Sequence, residues 1–590
     1  MNALRTITLF LTLTLAGAGA LAQGGPDGNA HPESKLVNAT DENALFIPFA
    51  LPTNEPTGTP AQKRNFERAL DLDPIRALAV GHNGRVKILD TLARESIRTI
   101  TGRKDYIDII PSQTEGEDAE TYKPDPLFTL LDIIIDPSYY ADKPLLHIEY
   151  LPLRRALLEL AYPGDEYAQQ VWNKRTRLSP AVVEEHTNTA FNQHSGEVPF
   201  RRAVNQLDAT FKLVLFGASN LLVVAPESND EAWLPLTSLE PSHAAREAAL
   251  ELGAAWRARD ADRANSAIAA LADVLPTIHP DVYPTSRRSL ELAYNRSNAF
   301  AWGAWVYLLS LVLLVLAFGS GRRWLVIGGI ATLVVAIALH AFGFSARCVI
   351  AERFAIQNQF ESMTGVSLFA ALVGLGIMIW RRQWLFGAAA AGTGFLILTG
   401  ATQLGIPGEN IAREAAILNT SVLLKYHVTT VLTSYGLITL GMIVSLFYLG
   451  THYAGRVKSV DPELASEAGT VAASALGDES STTSRARLLG DLDRAQMIVL
   501  QLAFWTLGVG TLLGAWWADH SWGRWWAFDP KETWALITWI IYLVVIHARF
   551  GMGGEKRALV TAWLSVLGFL VMLWTYFGVN LLLPGLHAYA

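Results

Sequence analysis

Between residues 516 and 534 the sequence reads WWADHSWGRWWAFDPKETW, placing Trp516, Trp517, Trp522, Trp525, Trp526, Phe528 and Trp534 within one short stretch. Asp519, His520, Asp529, Lys531 and Glu532 are interleaved with them. Rings at that density form a shelf on which a flat macrocycle can stack, and Asp-Pro-Lys-Glu can meet its polar substituents. An aromatic belt at headgroup level is the alternative reading of the same tryptophans. The single cysteine, Cys348, excludes an internal disulfide, a Cys-rich zinc site and a C-x-x-C pair. There is also no C-x-x-C-H for covalent haem attachment to this chain. Cys348 reads as a buried small residue, with a redox thiol as the alternative. His82 and the other histidines of the N-terminal half show no metal-ligand spacing.

The elements that must carry such a shelf follow from composition. Of 590 residues, 51% are hydrophobic and 17% charged, so part of the chain is expected in a lipid bilayer. A formal net charge of −7 and a pI near 6.0 leave no basic signature, and no nucleic-acid partner is expected. Apolar runs of bilayer length centre on 301–318, 324–343, 364–380, 384–402, 426–450, 494–515, 533–549 and 557–582. The fold expected is therefore a polytopic α-helical membrane protein with about eight transmembrane helices. Arg322, Arg323, Arg381, Arg382, Arg456, Lys458, Arg485, Arg487, Arg549, Lys556 and Arg557 all fall on one side of these spans. By the positive-inside rule that side is cytoplasmic, and the Trp-rich loop faces outward.

Residues 1–22 carry Arg5, an apolar run from Ile7 to Leu15 and Ala20-Leu21-Ala22, the pattern of a signal peptide. An uncleaved first anchor is the alternative. Residues 23–298 then read as an extracytoplasmic α+β domain, without a run long enough to span. In it, Asn83-Gly84 marks a hairpin followed by a helix, and Ser242 to Pro276 reads as a helical hairpin. Spans one to five occupy 299–450. Residues 451–493, rich in Ala, Ser, Thr and Glu, read as a cytoplasmic linker, and 494–590 hold the last three spans with the Trp loop at 516–534.

The stretch WGRWWAFDPKETWALITW resembles the WWD motif of haem-handling membrane proteins, and its DPKETWALITW ending is similar to the CcsA (ResC) branch of the system II cytochrome c synthase. KYHVTTVLTSYG, NQFESM and LLLPGLHAYA resemble other segments of that family, so the likeness covers 285–590. GHNGRVKILDTLARESIRTITG and LELAYNRSNAF look like segments of enlarged members with an extra soluble domain. One departure stands at Phe528, where that branch usually has Trp; a stacking ring is kept and an indole N–H is lost.

The resemblance implies a haem-binding set of His427, His587, His547, Trp522, Trp525, Trp526, Phe528, Asp529 and Trp534. Within it, His427 and His587 are the implied axial ligands of haem iron, with haem b as the transported substrate. His547 matches an intramembrane histidine that receives haem from the cytoplasmic side. The second ligand there is implied to come from a CcsB (ResB)-like membrane subunit, since His340 lies toward the opposite end of its span and His452 at the linker. Asn358 and Glu361 match a family segment, with loop structure as the alternative role. The implied activity is part of a cytochrome c haem lyase in the bacterial inner membrane, working with apocytochrome c and thiol reductant proteins. A haem exporter or chaperone without ligation activity would use the same residues. Either way, no residue is marked as the acid or base of a bond-forming step.

Overall fold

The structure is a computed structural model that describes residues 48–49, 58–110, 120–194, 196–215, 217, 221–284, 286–320, 322–406, 408–412, 422–457, 480–583 and 585. The signal-peptide segment 1–22 and His587 lie outside the described residues. The chain divides into two compact units, which part between Arg296 and Ser297.

In the first unit Asn83 and Gly84 take φ of 50° and 70°, the left-handed pair of a type I′ turn, and close β1 (Ala79–His82) onto β2 (Arg85–Ile88). Helix Leu89–Thr101 follows, burying Leu92, Ala93, Ile97 and Ile100 along one stripe. Two further antiparallel pairs join Asp108–Ile110 to Glu120–Tyr122 and Leu146–His147 to Arg177–Leu178. The helical hairpin expected at 242–276 is present as Ala244–Ala258 and Ala261–Val274. Its Trp256 reaches the core, stacks on Phe128 at 5.2 Å and donates its indole N–H to Asp132 at 2.8 Å. Lys63 bridges Asp132 and Asp136 beside it, so the buried charges there are paired.

The second unit is helical: α1 (Ala299–Ser320), α2 (Arg323–Ala351), α3 (Gln359–Arg381), α4 (Leu385–Gln403), α5 (Val422–Val457), α6 (Ser480–Trp522), α7 (Pro530–His547) and α8 (Gly554–Leu573). A π turn, Trp574–Gly578, carries α8 on into Val579–Leu582. Among the described residues seven of these helices are long and apolar enough to cross a membrane. The eighth expected span is α7, which falls outside the seven. Pro530, Lys531 and Glu532 fill its first turn and His547 ends it, so its apolar stretch is shorter than its 18 residues. α5 packs along α6 and α8, α7 packs on α6 and α8, and α1 to α4 pack around one another with α3 and α4 against α5.

Two boundaries differ from expectation. α5 runs on to Val457 and α6 begins at Ser480, so helix occupies both ends of the expected linker. The reason is tertiary: Leu492 is fully buried, Arg485 donates to the His452 carbonyl at 2.7 Å, and Arg549 clasps Asp493 through both guanidinium nitrogens. At the other end α6 continues through Trp522, so the Trp loop narrows to 523–529. Gly523, at φ 69°, stops the helix by donating its N–H to the Asp519 carbonyl at 2.9 Å, an αL cap.

Candidate functional site

Asp529-Pro530-Lys531-Glu532 reads as a helix start. Asp529 is the N-cap of α7, Pro530 fills the first helical position, and Glu532 reaches back to complete a capping box. The Glu532 carboxylate accepts from the backbone N–H of Ala527 at 2.8 Å and of Asp529 at 3.3 Å. Both acidic side chains of the motif are thus engaged in fixing the loop. Lys531, ahead of the apolar run of α7, has its ammonium pushed down to about 8 by burial, against the pull of the Asp529 charge.

The tryptophans divide into two sets. Trp517 is buried and meets Trp522 edge-on at 4.9 Å, while Trp534 meets Trp574 edge-on at 5.8 Å. Trp525 and Phe528 are exposed, and Phe528 takes a positive φ of 56° while contacting Trp526 edge-on at 6.4 Å. Trp526 and Trp517 turn onto a cavity of about 410 Å³, within the range of small-molecule sites.

His427, one turn into α5, lies on the same cavity wall. Its Nδ1 is 2.7 Å from the Gly510 carbonyl; a carbonyl only accepts, so Nδ1 carries a proton and donates it there. The ring fits because Gly510 and Gly514 form a G-x-x-x-G face on α6. A Cβ at 514 would stand 2.4 Å from His427 Cε1, and one at 510 would stand 2.7 Å from Val431 Cγ2. An imidazole held by a backbone carbonyl in this tautomer is the usual arrangement of a metal-ligating histidine.

The start of α3 closes another side. Asn358 caps it by accepting from the Glu361 N–H at 2.8 Å. Glu361 and Arg347, both fully buried, are joined at 3.1 Å, and Arg353 holds the same carboxylate at 2.7 and 3.0 Å. Arg347 also donates to the carbonyls of Gly408, Glu409 and Asn410, tying that loop to α3. The segment expected from its family likeness is thus a clamp behind the cavity. From it Gln359 and Ser362 reach the cavity, beside Thr575 and Tyr576 of the π turn. Tyr576 pairs its hydroxyl with Ser362 and donates to the Gln359 carbonyl at 3.3 Å.

The remaining histidines lie elsewhere. His547 ends α7, about 21 Å along the helix from Thr533 at the usual rise. It is exposed, with Nδ1 2.7 Å from the Leu543 carbonyl of its own helix. His340 is fully buried with both nitrogens engaged, Nε2 at 2.9 Å from the Thr364 carbonyl and Nδ1 at 3.3 Å from the Tyr307 hydroxyl, the environment of a core histidine. His452 is buried between the rings of Tyr448 and Tyr453. Cys348 is half-buried and accepts from the Ala355 N–H at 3.3 Å. Among the described residues no group of three or more His, Cys, Asp or Glu is placed to hold a metal ion.

Of the residues singled out by sequence, His427, Trp517, Trp526, Lys531, Glu532 and Asn358 meet at the cavity, with Trp522 in contact with Trp517. Sequence reasoning missed Gln359, Lys425, Tyr435 and Tyr576. Only the G-x-x-x-G spacing at 510–514 could have marked the wall against which His427 sits.

A helical membrane unit with a Trp-lined cavity and a carbonyl-held histidine fits a class of assembly proteins. Residues 298–587 match the family described as Cytochrome C assembly protein. Cytochrome c biogenesis protein CcsA of Pyropia yezoensis is 31% identical over 323 residues, 51% of this chain and 98% of that protein. CcsA of Trieres chinensis is 28% identical over 315 residues, 51% of this chain and 98% of the relative. CcsA of Gloeobacter violaceus is 28% identical over 275 residues, 42% and 81% respectively. The chain belongs to the CcsA family of cytochrome c biogenesis proteins, and its role lies in cytochrome c maturation. Residues before 298 fall outside the family match.

Proposed function

We propose that the protein is the haem-handling subunit of a cytochrome c synthase in the bacterial cytoplasmic membrane. Haem b is its transported substrate, held for attachment to the C-x-x-C-H motif of an exported apocytochrome c. His427 and His587 are the axial ligands, and Trp526 and Trp517, the latter in contact with Trp522, form the stacking wall. The observation that carries the reading is the 2.7 Å contact from His427 Nδ1 to the Gly510 carbonyl, which fixes the ring against α6 on the wall of a cavity of about 410 Å³. Gly585, two residues before His587 in sequence, packs at the Asp529 carboxylate, which brings the chain back to the motif.

Thioether formation adds a thiol across a vinyl group: sulfur bonds one vinyl carbon, the proton goes to the other, and no net oxidation occurs. The protein's part is positional, holding iron and orienting the vinyl edge toward cysteine thiols supplied by the apocytochrome and kept reduced by thiol reductant proteins. The exposed His547, at the far end of α7 beside the exposed Phe550, is suited to a haem-entry site completed by a CcsB-like subunit. The N-terminal unit and the Trp loop then face the extracytoplasmic side.

The test is a visible spectrum of the detergent-purified protein. A haem absorbance that is lost or converted to a one-ligand form in His427→Ala and in His587→Ala supports the reading. A spectrum unchanged in the double variant overturns it.

A further inference from the structure

The charged groups on the cavity wall lean to the positive side. Lys425 and Lys531 supply cations, Trp517 adds an N–H donor, and the Gln359 amide adds a donor and an acceptor. The carboxylate among the lining residues, Glu532, is occupied by the backbone of Ala527 and Asp529. Among the described residues no carboxylate lies within ion-pair distance of Lys425 or Lys531. Both amide atoms of Gln359 and the indole nitrogen of Trp517 are buried without a hydrogen-bond partner among the described residues. Buried polar groups left in that condition are costly and call for a partner, and the indole and amide N–H groups call for an acceptor.

We infer that Lys531 and Gln359 are the carboxylate-binding residues of the cavity, gripping the two acidic side groups of the macrocycle while His427 holds its metal. The inference rests on the haem reading and assigns the motif's cation a role apart from its acidic neighbours. Asp529 and Glu532 build the turn, and the turn fixes Lys531 and Ala535, one helical turn apart, on the cavity wall. That turn is also the start of α7, where the helix dipole favours an anion. Gln359 is fixed from the other side, since its helix is capped by Asn358 and its carbonyl accepts from Tyr576.

The experiment titrates the detergent-purified full chain with haemin and with haemin dimethyl ester, which keeps the ring and iron but lacks the carboxylates. The unsubstituted protein is expected to favour the diacid about tenfold or more, the scale of one or two charge-assisted hydrogen bonds. Lys531→Met and Gln359→Leu are expected to weaken diacid binding, leave ester binding unchanged and move the ratio toward one, while Lys531→Arg keeps it. A ratio unaffected in Lys531→Met overturns the inference, as does equal loss of both ligands in Lys531→Met and Lys531→Gln. Failure of the unsubstituted protein to bind either compound overturns the haem reading as well, which separates the two failures.

Discussion

The imidazole of His427 lies against the backbone of Gly514, its Cε1 and Nδ1 2.4 and 2.8 Å from where a Cβ at 514 would stand. Any side chain there must displace the ring and lengthen its bond to the Gly510 carbonyl. Gly514→Ala is therefore expected to weaken haem binding about 10- to 100-fold, the usual scale for disturbing a ligand's supporting contacts. Titration followed by the Soret band measures it, and unchanged affinity would remove the supporting role given to this glycine.

His427→Ala leaves a ring-sized space between α5 and α6. Added imidazole can enter it and take the Gly510 carbonyl as its acceptor. The spectrum lost in this variant is expected to return on adding millimolar imidazole. A full spectrum kept by His427→Ala without imidazole would show that His427 is not a ligand.

Asp529 offers a choice between capping a helix and touching the substrate. Asn and Ser are also good N-caps, whereas Ala loses about 1 kcal/mol at such positions. If capping is its role, Asp529→Asn and Asp529→Ser keep both the spectrum and the thermal midpoint, and Asp529→Ala lowers the midpoint. A spectrum lost in Asp529→Asn with the midpoint unchanged would return this carboxylate to the substrate.

What the sequence made legible was local. Asn83-Gly84 forced the hairpin, eight apolar runs marked eight helices, and Asp-Pro-Lys-Glu announced the start of α7. The cavity was not legible, because it depends on residues far apart in sequence. Gln359 and Tyr576 are 217 positions apart, and no local period relates them. The π turn that carries Thr575 and Tyr576 has no composition signal of its own. Trp525 and Phe528 show the converse limit: aromatic density marked the loop, but which rings turn inward was settled by Gly523 ending α6 and Asp529 starting α7.

Glu361 neutralises Arg347 where neither reaches solvent. Removing one partner of a buried pair costs about 3–5 kcal/mol, because the other charge is left uncompensated. Glu361→Gln is expected to lower the thermal midpoint sharply and to speed hydrogen exchange in 408–410, which Arg347 holds by its carbonyls. A thermal midpoint equal to that of the unsubstituted protein would show that the clamp contributes little.

Acid should loosen the first unit at Asp90. Burial opposes ionisation there, but hydrogen bonds from Arg94 and Asn295 and the charge of Arg76 outweigh it and hold the carboxyl below its usual range. A carboxyl with a depressed folded pKa contributes stability that is present above its unfolded value near 3.8 and is lost as pH falls through the folded value. Hydrogen exchange in the full chain is therefore expected to quicken around helix Leu89–Thr101 below about pH 4, since Asp90 lies in its first turn. Asp90→Asn should flatten that pH dependence while lowering stability at neutral pH. An equally steep acid response in Asp90→Asn would assign it to other carboxylates of the unit.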